Sequence, residues 1–139
     1  MLNPDKYVRE GYIADLEPLL GGVPIWDGGI PVDEPTPDVY VLITTQTKRP
    51  TERTKDGFEW MGTITLDIVS IRPPGTHNTA IVDDIEEILI ERIEQEIDIP
   101  GFINNNTLFV DSVSLKDENA SQSVDRKILI YEHWLNWVD

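Results

Sequence analysis

Residues 39–71, "VYVLITTQTKRPTERTKDGFEWMGTITLDIVSI", decide the fold, because two apolar segments flank a long polar one. Along the second apolar segment the side chains alternate, with Phe58, Trp60, Ile64, Leu66 and Ile68 on one parity and Glu59, Thr63, Thr65 and Asp67 on the other. This alternation is typical of a strand with one face on the core and the other toward water or a neighbour. No helical pattern separates the two segments. We therefore expect Val39–Thr45 and Phe58–Ile71 to pair as an antiparallel hairpin.

The polar segment 44–57 is much longer than a hairpin loop of about two to five residues. Either both strands extend beyond the body of the sheet, or the tip is mobile. Its four cations are Lys48, Arg49, Arg53 and Lys55, which with two carboxylates give a local net charge of +2 in a chain of −15. No aromatic side chain is interleaved to stack on bases. On one subunit a solvated tip is expected. In a ring these cations would form a belt, and we predict that they contact a neighbouring subunit or another partner.

The other elements follow from hydrophobic periodicity and from the positions of Pro and Gly. The pattern predicts a helix over 4–17, a strand over Val23–Trp26, a helix over 79–98, and strands Leu108–Leu115 and Val124–Trp137. The order is α-β-β-β-α-β-β. It indicates a single domain, residues 1–139, of the α+β class, in which both helices pack on one face of a mainly antiparallel sheet.

Two elements carry more apolar surface than a lone subunit needs. The apolar arc of the 79–98 helix, extended by Ile90, covers about half the helix, which is wider than the usual stripe of about 100°. The last strand is apolar on both parities, as a central strand or one covered by another chain would be. We predict an inter-subunit apolar surface that includes Ile90, Tyr131 and Trp134.

Nothing in the sequence indicates catalysis, a metal or a cofactor. The chain has no cysteine and only two histidines, His77 and His133, in separate elements. No nucleophile elbow, phosphate-binding glycine motif or zinc-ligand spacing occurs. His133 is interpreted as a strand residue at an edge or interface. The acidic pairs of the 79–98 helix are interpreted as a solvated face.

Composition narrows the choice of partners. A pI near 4.3 argues against nucleic-acid binding through net charge. No secretory signal is apparent, and no apolar run approaches the roughly 20 residues of a membrane span. Acidity favours solubility and is compatible with a basic partner.

The order of segments resembles the tail-terminator or tail-completion proteins of tailed bacteriophages. The resemblance runs from about Leu16 to Trp134. It includes "DLEPLLGGVPIWDGGIPVDEPTPDVYVLI", the polar hairpin, the long strand, "RPPGT", the "IVDDIEEILIERI" helix and two final strands. It implies a non-catalytic virion protein, assembled in the host bacterial cytoplasm. Such proteins form rings, commonly hexameric, that cap the tail tube and join it to the head or neck. DNA would pass through the ring without specific binding. The basic loop departs from this pattern.

Other interpretations remain open. An enzyme with an unrecognised site is one, and substitutions at His77 and His133 without loss of activity would count against it. Two more concern binding and assembly. One keeps the virion but makes the protein a neck or head-completion ring, in contact with portal-associated proteins. The other is an acidic immunity or antitoxin-like protein that blocks a basic partner, for which Trp26 and Trp134 could provide exposed contacts.

Overall fold

The computed structural model describes residues 3–54 and 57–138, without the side chains of residues 52–54 and 57–58. Its elements are α1 (Pro4–Leu16), a 3-10 turn (Glu17–Leu19), β1 (Ile25–Asp27), β2 (Val39–Thr54), β3 (Gly57–Arg72), α2 (Thr79–Glu94), β4 (Phe102–Glu118) and β5 (Ser123–Trp137). The predicted order and the α+β class are confirmed. The first strand begins two residues later than predicted.

The five strands form one sheet in the order β1-β2-β3-β5-β4. The short β1 pairs in parallel with β2, with Ile25 opposite Val41. All the other neighbours are antiparallel. Because β5 lies between β3 and β4, side chains of both neighbours flank it on each face. Its odd-numbered residues are mostly buried under the helices, and its even-numbered residues are half-buried on the opposite face. β4 therefore forms one edge of the sheet.

The hairpin of β2 and β3 is longer than its apolar segments indicated. Pairing continues to Thr54 opposite Gly57, with register shifts at 43–46 and 50–52. Residues 46–54 lie beyond the predicted strand end at Thr45, yet apart from the register shift at Thr51 they pair with β3 whatever the polarity of their side chains. Of the two alternatives, strand extension is confirmed for these residues. Lys55 and Asp56 lie outside the described residues.

Both helices cover the same face of the sheet. Asn78 begins α2, and its Oδ1 accepts a hydrogen bond from the backbone N–H of Ile81 at 3.2 Å. The buried side chains between the helices and the sheet form one cluster, which includes Val8, Tyr12, Leu16, Val41, Ile43, Ile64, Leu66, Ile68, Val82, Ile85, Leu89, Ile93, Ile97, Leu129 and Leu135.

The second helix ends at Glu94, four residues before the predicted end at 98. Glu96 adopts a positive φ of 67°, and a polar cluster satisfies the backbone there. Arg92 donates to the Glu96 carbonyl at 2.7 Å and to Asp15 Oδ2 at 2.8 Å. The same Asp15 oxygen accepts from the Asp98 N–H at 2.9 Å. Ile97 stays buried although it is no longer helical, so the apolar period overestimated the length of the helix.

Candidate assembly surfaces

The face of the sheet opposite the helices is called here the outer face. No helix or strand among the described residues lies over it, although Tyr40, Val69 and Asp67 at one end of it are buried. Leu129 and Tyr131 are buried under the helices, so by strand alternation Ile128 and Ile130 lie on the outer face. The strand register adds further apolar residues to this face: Leu42, Met61, Leu108, Val113, Leu115 and Trp134. Leu108 is 51% exposed. An uncovered apolar face of this kind marks an interaction surface.

The edge strand β4 is the most exposed apolar element of the described chain. Its apolar side chains are exposed on both faces of the sheet: Ile103, Leu108, Phe109, Val110, Val113 and Leu115. Phe109 lies on the helix side and touches the ring of Tyr131, with a centroid distance of 5.3 Å. The sequence analysis did not select these residues. The signal was present, because "LFVDSVSL" is apolar on both parities in a strand that proves not to be central.

The predicted basic loop is only partly free. Lys48 binds Asp5 Oδ2 at 2.5 Å and lies 5.9 Å from the centre of the Trp60 ring, so this cation is engaged within its own subunit. Arg49 lies on the outer face and contacts Met61 Sδ at 3.6 Å. Arg53 is described only in its backbone, and Lys55 lies outside the described residues. Among the cations whose side chains the structure describes, Arg49 is exposed and has no described carboxylate within ion-pair distance.

The three residues predicted as an inter-subunit apolar surface are not brought together. Tyr131 is 1% exposed and lies in the core of the subunit, so it is not a surface residue. The odd-numbered residues of β5, which include Tyr131, face the helices, whereas the even-numbered residues lie on the outer face. Trp134 lies half-buried on the outer face, where its Nε1 donates to Glu132 Oε1 at 3.2 Å. Ile90 is half-buried on α2, on the other side of the sheet.

An ion pair with a buried carboxylate and a partly exposed guanidinium lies within the outer face. Asp67 was expected to face water or a neighbour, yet it is only 4% exposed, because Arg126 and neighbouring side chains cover it. The Arg126 guanidinium donates to both carboxylate oxygens, and the Nε–Oδ1 distance is 3.3 Å. The hydrogen bond to Asp67 raises the pKa of Arg126. Burial, assisted by the Asp67 charge, raises the pKa of Tyr40. The pair fixes β3 against β5 with its charge already neutralised.

His133 is neither at an edge nor at an interface of the subunit, in contrast to the prediction. It is 1% exposed beneath α1, where its Nε2 meets the hydroxyl of Tyr12. Its Nδ1 lies 3.2 Å from Asn104 Oδ1 and 3.2 Å from Thr107 Oγ1. A neutral imidazole with the proton on Nδ1 satisfies all three partners, because it donates on one side and accepts on the other. Burial lowers the pKa of His133 to about 4.

This burial predicts a specific acid sensitivity. In the unfolded chain His133 has a pKa near 6.5, so it takes up a proton there at a higher pH than in the fold. Its contribution to stability is complete above about pH 6.5 and is lost as the pH falls toward 4, by up to about 3 kcal/mol. We expect urea unfolding of the native chain to lose more free energy between pH 7.5 and pH 4.5 than His133→Gln does. Equal losses would show that His133 does not contribute to acid sensitivity.

His77 contacts a buried carboxylate of β5. Its Nδ1 lies 3.0 Å from Asp125 Oδ1, and the other oxygen of that buried carboxylate accepts from the Asn78 N–H at 3.0 Å. The contact anchors the connection before α2 to β5. Within residues 3–54 and 57–138, no group of three His, Asp or Glu side chains is arranged to hold a metal ion. No helix in the described part of the chain is long and apolar enough to cross a membrane.

The fold of this chain is similar to that of a chain in a solved structure. No protein-family model matches the sequence, and no curated protein matches it. Among solved structures, a chain of the "Virion of native gene transfer agent (GTA) particle" is similar, with a TM-score of 0.69 and 14% sequence identity. The match covers 93% of this chain and 91% of that chain. The two chains therefore share a fold over nearly their whole length.

Proposed function

We propose that this protein is a structural component of a tailed-phage-like virion, without catalytic activity. The observation that carries the proposal is the fold shared with a chain of the gene transfer agent virion over 93% of this chain. The resemblance to tail-terminator or tail-completion proteins supports the more specific form. In that form the protein assembles in the host bacterial cytoplasm into a ring, most simply a hexamer. The ring caps the tail tube and joins it to the head or neck.

The open surfaces of the subunit support ring assembly. The outer face and the β4 edge would be buried by a neighbour, which favours association of copies of the chain. If the contact joins two different surfaces of each copy, it can be repeated from copy to copy, and it gives a ring when the rotation closes. The net charge of −15 suits a channel through which DNA slides without adhering.

Deletion of the coding sequence from the particle-producing genome tests the role, with electron microscopy of the lysate. A tail cap predicts filled heads without tails, and tubes of irregular length. Normal-length tails beside detached heads would favour the neck or head-completion ring instead. Intact particles of normal infectivity would contradict both.

Mass measurement tests assembly independently of that phenotype. Light scattering measures the mass of the purified chain over a range of concentrations and of disrupted particles. A ring should give one fixed whole-number multiple of the 15.8 kDa subunit mass. A monomer in both preparations would contradict the ring. A stable one-to-one complex with a basic protein would support the immunity or antitoxin-like alternative.

Replacing Arg49 and Arg53 by Ser should weaken association and leave the subunit fold intact. Arg49 is exposed on the outer face and lies outside the buried core cluster. We therefore expect a change in unfolding free energy of less than about 0.5 kcal/mol. The assembled fraction should fall, and should depend less on salt than that of the native chain. A large loss of thermal stability in the dilute subunit would show that these residues are structural instead.

A further inference from the structure

The sheet has two open edges at its opposite ends. Among the described strands, β4 pairs with β5 alone, so the other side of β4 has no strand neighbour there. At the far end, β1 covers β2 only at residues 41–43. Beyond that point β2 continues with β3 on one side and no described strand on the other. Unpaired backbone groups along a strand are a template for another strand.

The β4 edge lacks most of the features that prevent strand addition. It contains no proline and one lysine, Lys116, and its register is interrupted at two places. Its exposed side chains are largely apolar on both faces. The Ser112 N–H donates at 2.8 Å to the Asp111 side chain beside it, so one donor of the strand is satisfied locally. Such an edge is suited to accept a strand.

The two edges carry opposite charge. β4 has Asp111, Asp117 and Glu118 against Lys116. On the free part of β2, Lys48 is already bound by Asp5 of its own subunit, so Arg49 is the described cation that a neighbour can meet. Pairing β4 with β4 of a second copy would bring acidic strands together, which is unfavourable. Pairing β4 with β2 would instead bring acidic and basic strands together. Charge complementarity therefore favours a head-to-tail contact.

Strand direction leads to the same arrangement. Three successive antiparallel pairings separate β2 from β4, so the two strands run in opposite directions within the sheet. A copy rotated about a common axis would therefore meet its neighbour in an antiparallel junction. Its helices would stay on the same side as those of the first copy. Arg49, opposite Met61, and Asp111, opposite Ile130, both lie on the outer face of that continuous sheet.

We propose that the β4 edge of one copy pairs with residues 46–49 of β2 in the next copy, so that the sheet continues around the ring. The partner is a second copy of this chain, and the contact is heterologous, which allows rotation to close it. This inference rests on the proposed ring and identifies its interface. Arg49 and Asp111 contribute opposite charges on one face of the junction.

Cysteine cross-linking tests the pairing, because the natural chain has no cysteine. Thr47→Cys is combined in turn with Asp111→Cys, Val113→Cys and Leu115→Cys, all on the outer face. Within one subunit three strand spacings, about 14 Å, separate β2 from β4, which is too far for a disulfide. Oxidation is carried out on the concentrated purified chain and on assembled particles. One of the three pairs should give a non-reducing ladder that ends at the subunit number of the ring.

The controls separate this interface from the proposed function. Each single-cysteine variant should stay monomeric after denaturation, and a dimer of Val113→Cys alone would reveal β4–β4 pairing and overturn the inference. A ring by light scattering with no ladder from any pair would overturn the interface and leave the ring standing. Absence of assembly in both preparations would overturn both.

Charge exchange gives a second, independent measurement. Arg49→Glu or Asp111→Lys alone should weaken association about tenfold, because like charges then meet across the junction. The double variant should recover most of the native association. If the double variant is as weak as the sum of the two single changes, these residues do not face one another.

Discussion

Replacing Ile93 by Asp should unfold a large fraction of the protein. Ile93 is 0% exposed and lies in the core between α2 and the sheet. The substitution removes a buried aliphatic side chain and places a carboxylate in a cluster of buried apolar side chains. We expect a loss of about 4 kcal/mol or more in the free energy of unfolding. A domain of this size is stable by only about 5–15 kcal/mol in total. Urea denaturation followed by circular dichroism measures the loss.

Ile88→Asp is the matched control, because it makes the same chemical change on the same helix. Ile88 is 36% exposed, so its carboxylate can stay hydrated. The cost should remain below about 1 kcal/mol. Comparable losses for the two variants would mean that the helix responds to charge or propensity at both sites, and that Ile93 is not a core residue.

The contrast between the two isoleucines also shows what the sequence could predict. The i+4 column of Ile85, Leu89 and Ile93 identified the buried face of α2, because a helix repeats its side chains with a fixed period. The same column continued to Ile97, which is buried but not helical. Periodicity reports which residues face the core. It does not show the hydrogen bonds from Arg92 and to Asp15 that stabilise the non-helical backbone after Glu94.

The strands show a similar division. Alternation in 58–71 correctly separated the core face, and the two-sided pattern of β5 correctly indicated a central strand. For the polar segment of β2 the sequence left strand extension and a mobile tip both open, because side-chain polarity says nothing about backbone pairing with β3. The alternation pattern also could not predict the order of the strands in the sheet. β5 lies between β3 and β4, although β4 precedes it in the sequence.

The candidate surfaces depend on that sheet order. Alternation places Tyr131 and Trp134 on opposite faces of β5, but it does not show which of the two faces the helices cover. Asp67 and His133 looked exposed or peripheral because their partners, Arg126 and Tyr12, are distant in sequence. The open β4 edge was not recognised for the same reason: only the strand order shows that β4 has one neighbour.

Gly11→Ala should destabilise the subunit although alanine is the better helix former. Gly11 lies in the middle of α1, where the Cβ of an alanine would stand 2.4 Å from the carbonyl oxygen of Asp98 and 3.3 Å from the Cα of Ile99. Both contacts are backbone atoms, so no side-chain rotation relieves them. The segment cannot move cheaply either, because the Asp98 N–H is held by Asp15 and Ile99 is buried.

The net effect of Gly11→Ala is a balance of two terms. Alanine gains about 1 kcal/mol of helix propensity, whereas separating α1 from residues 98–99 would cost more, since it opens the packing around Ile99. We expect a net loss of about 2 kcal/mol in urea unfolding. Gly29→Ala is the control: no atom lies within 4 Å of the added Cβ, and a change below about 0.5 kcal/mol is expected. A Gly11→Ala variant as stable as the native chain would mean that α1 packs less closely on residues 98–99 than its glycine indicates.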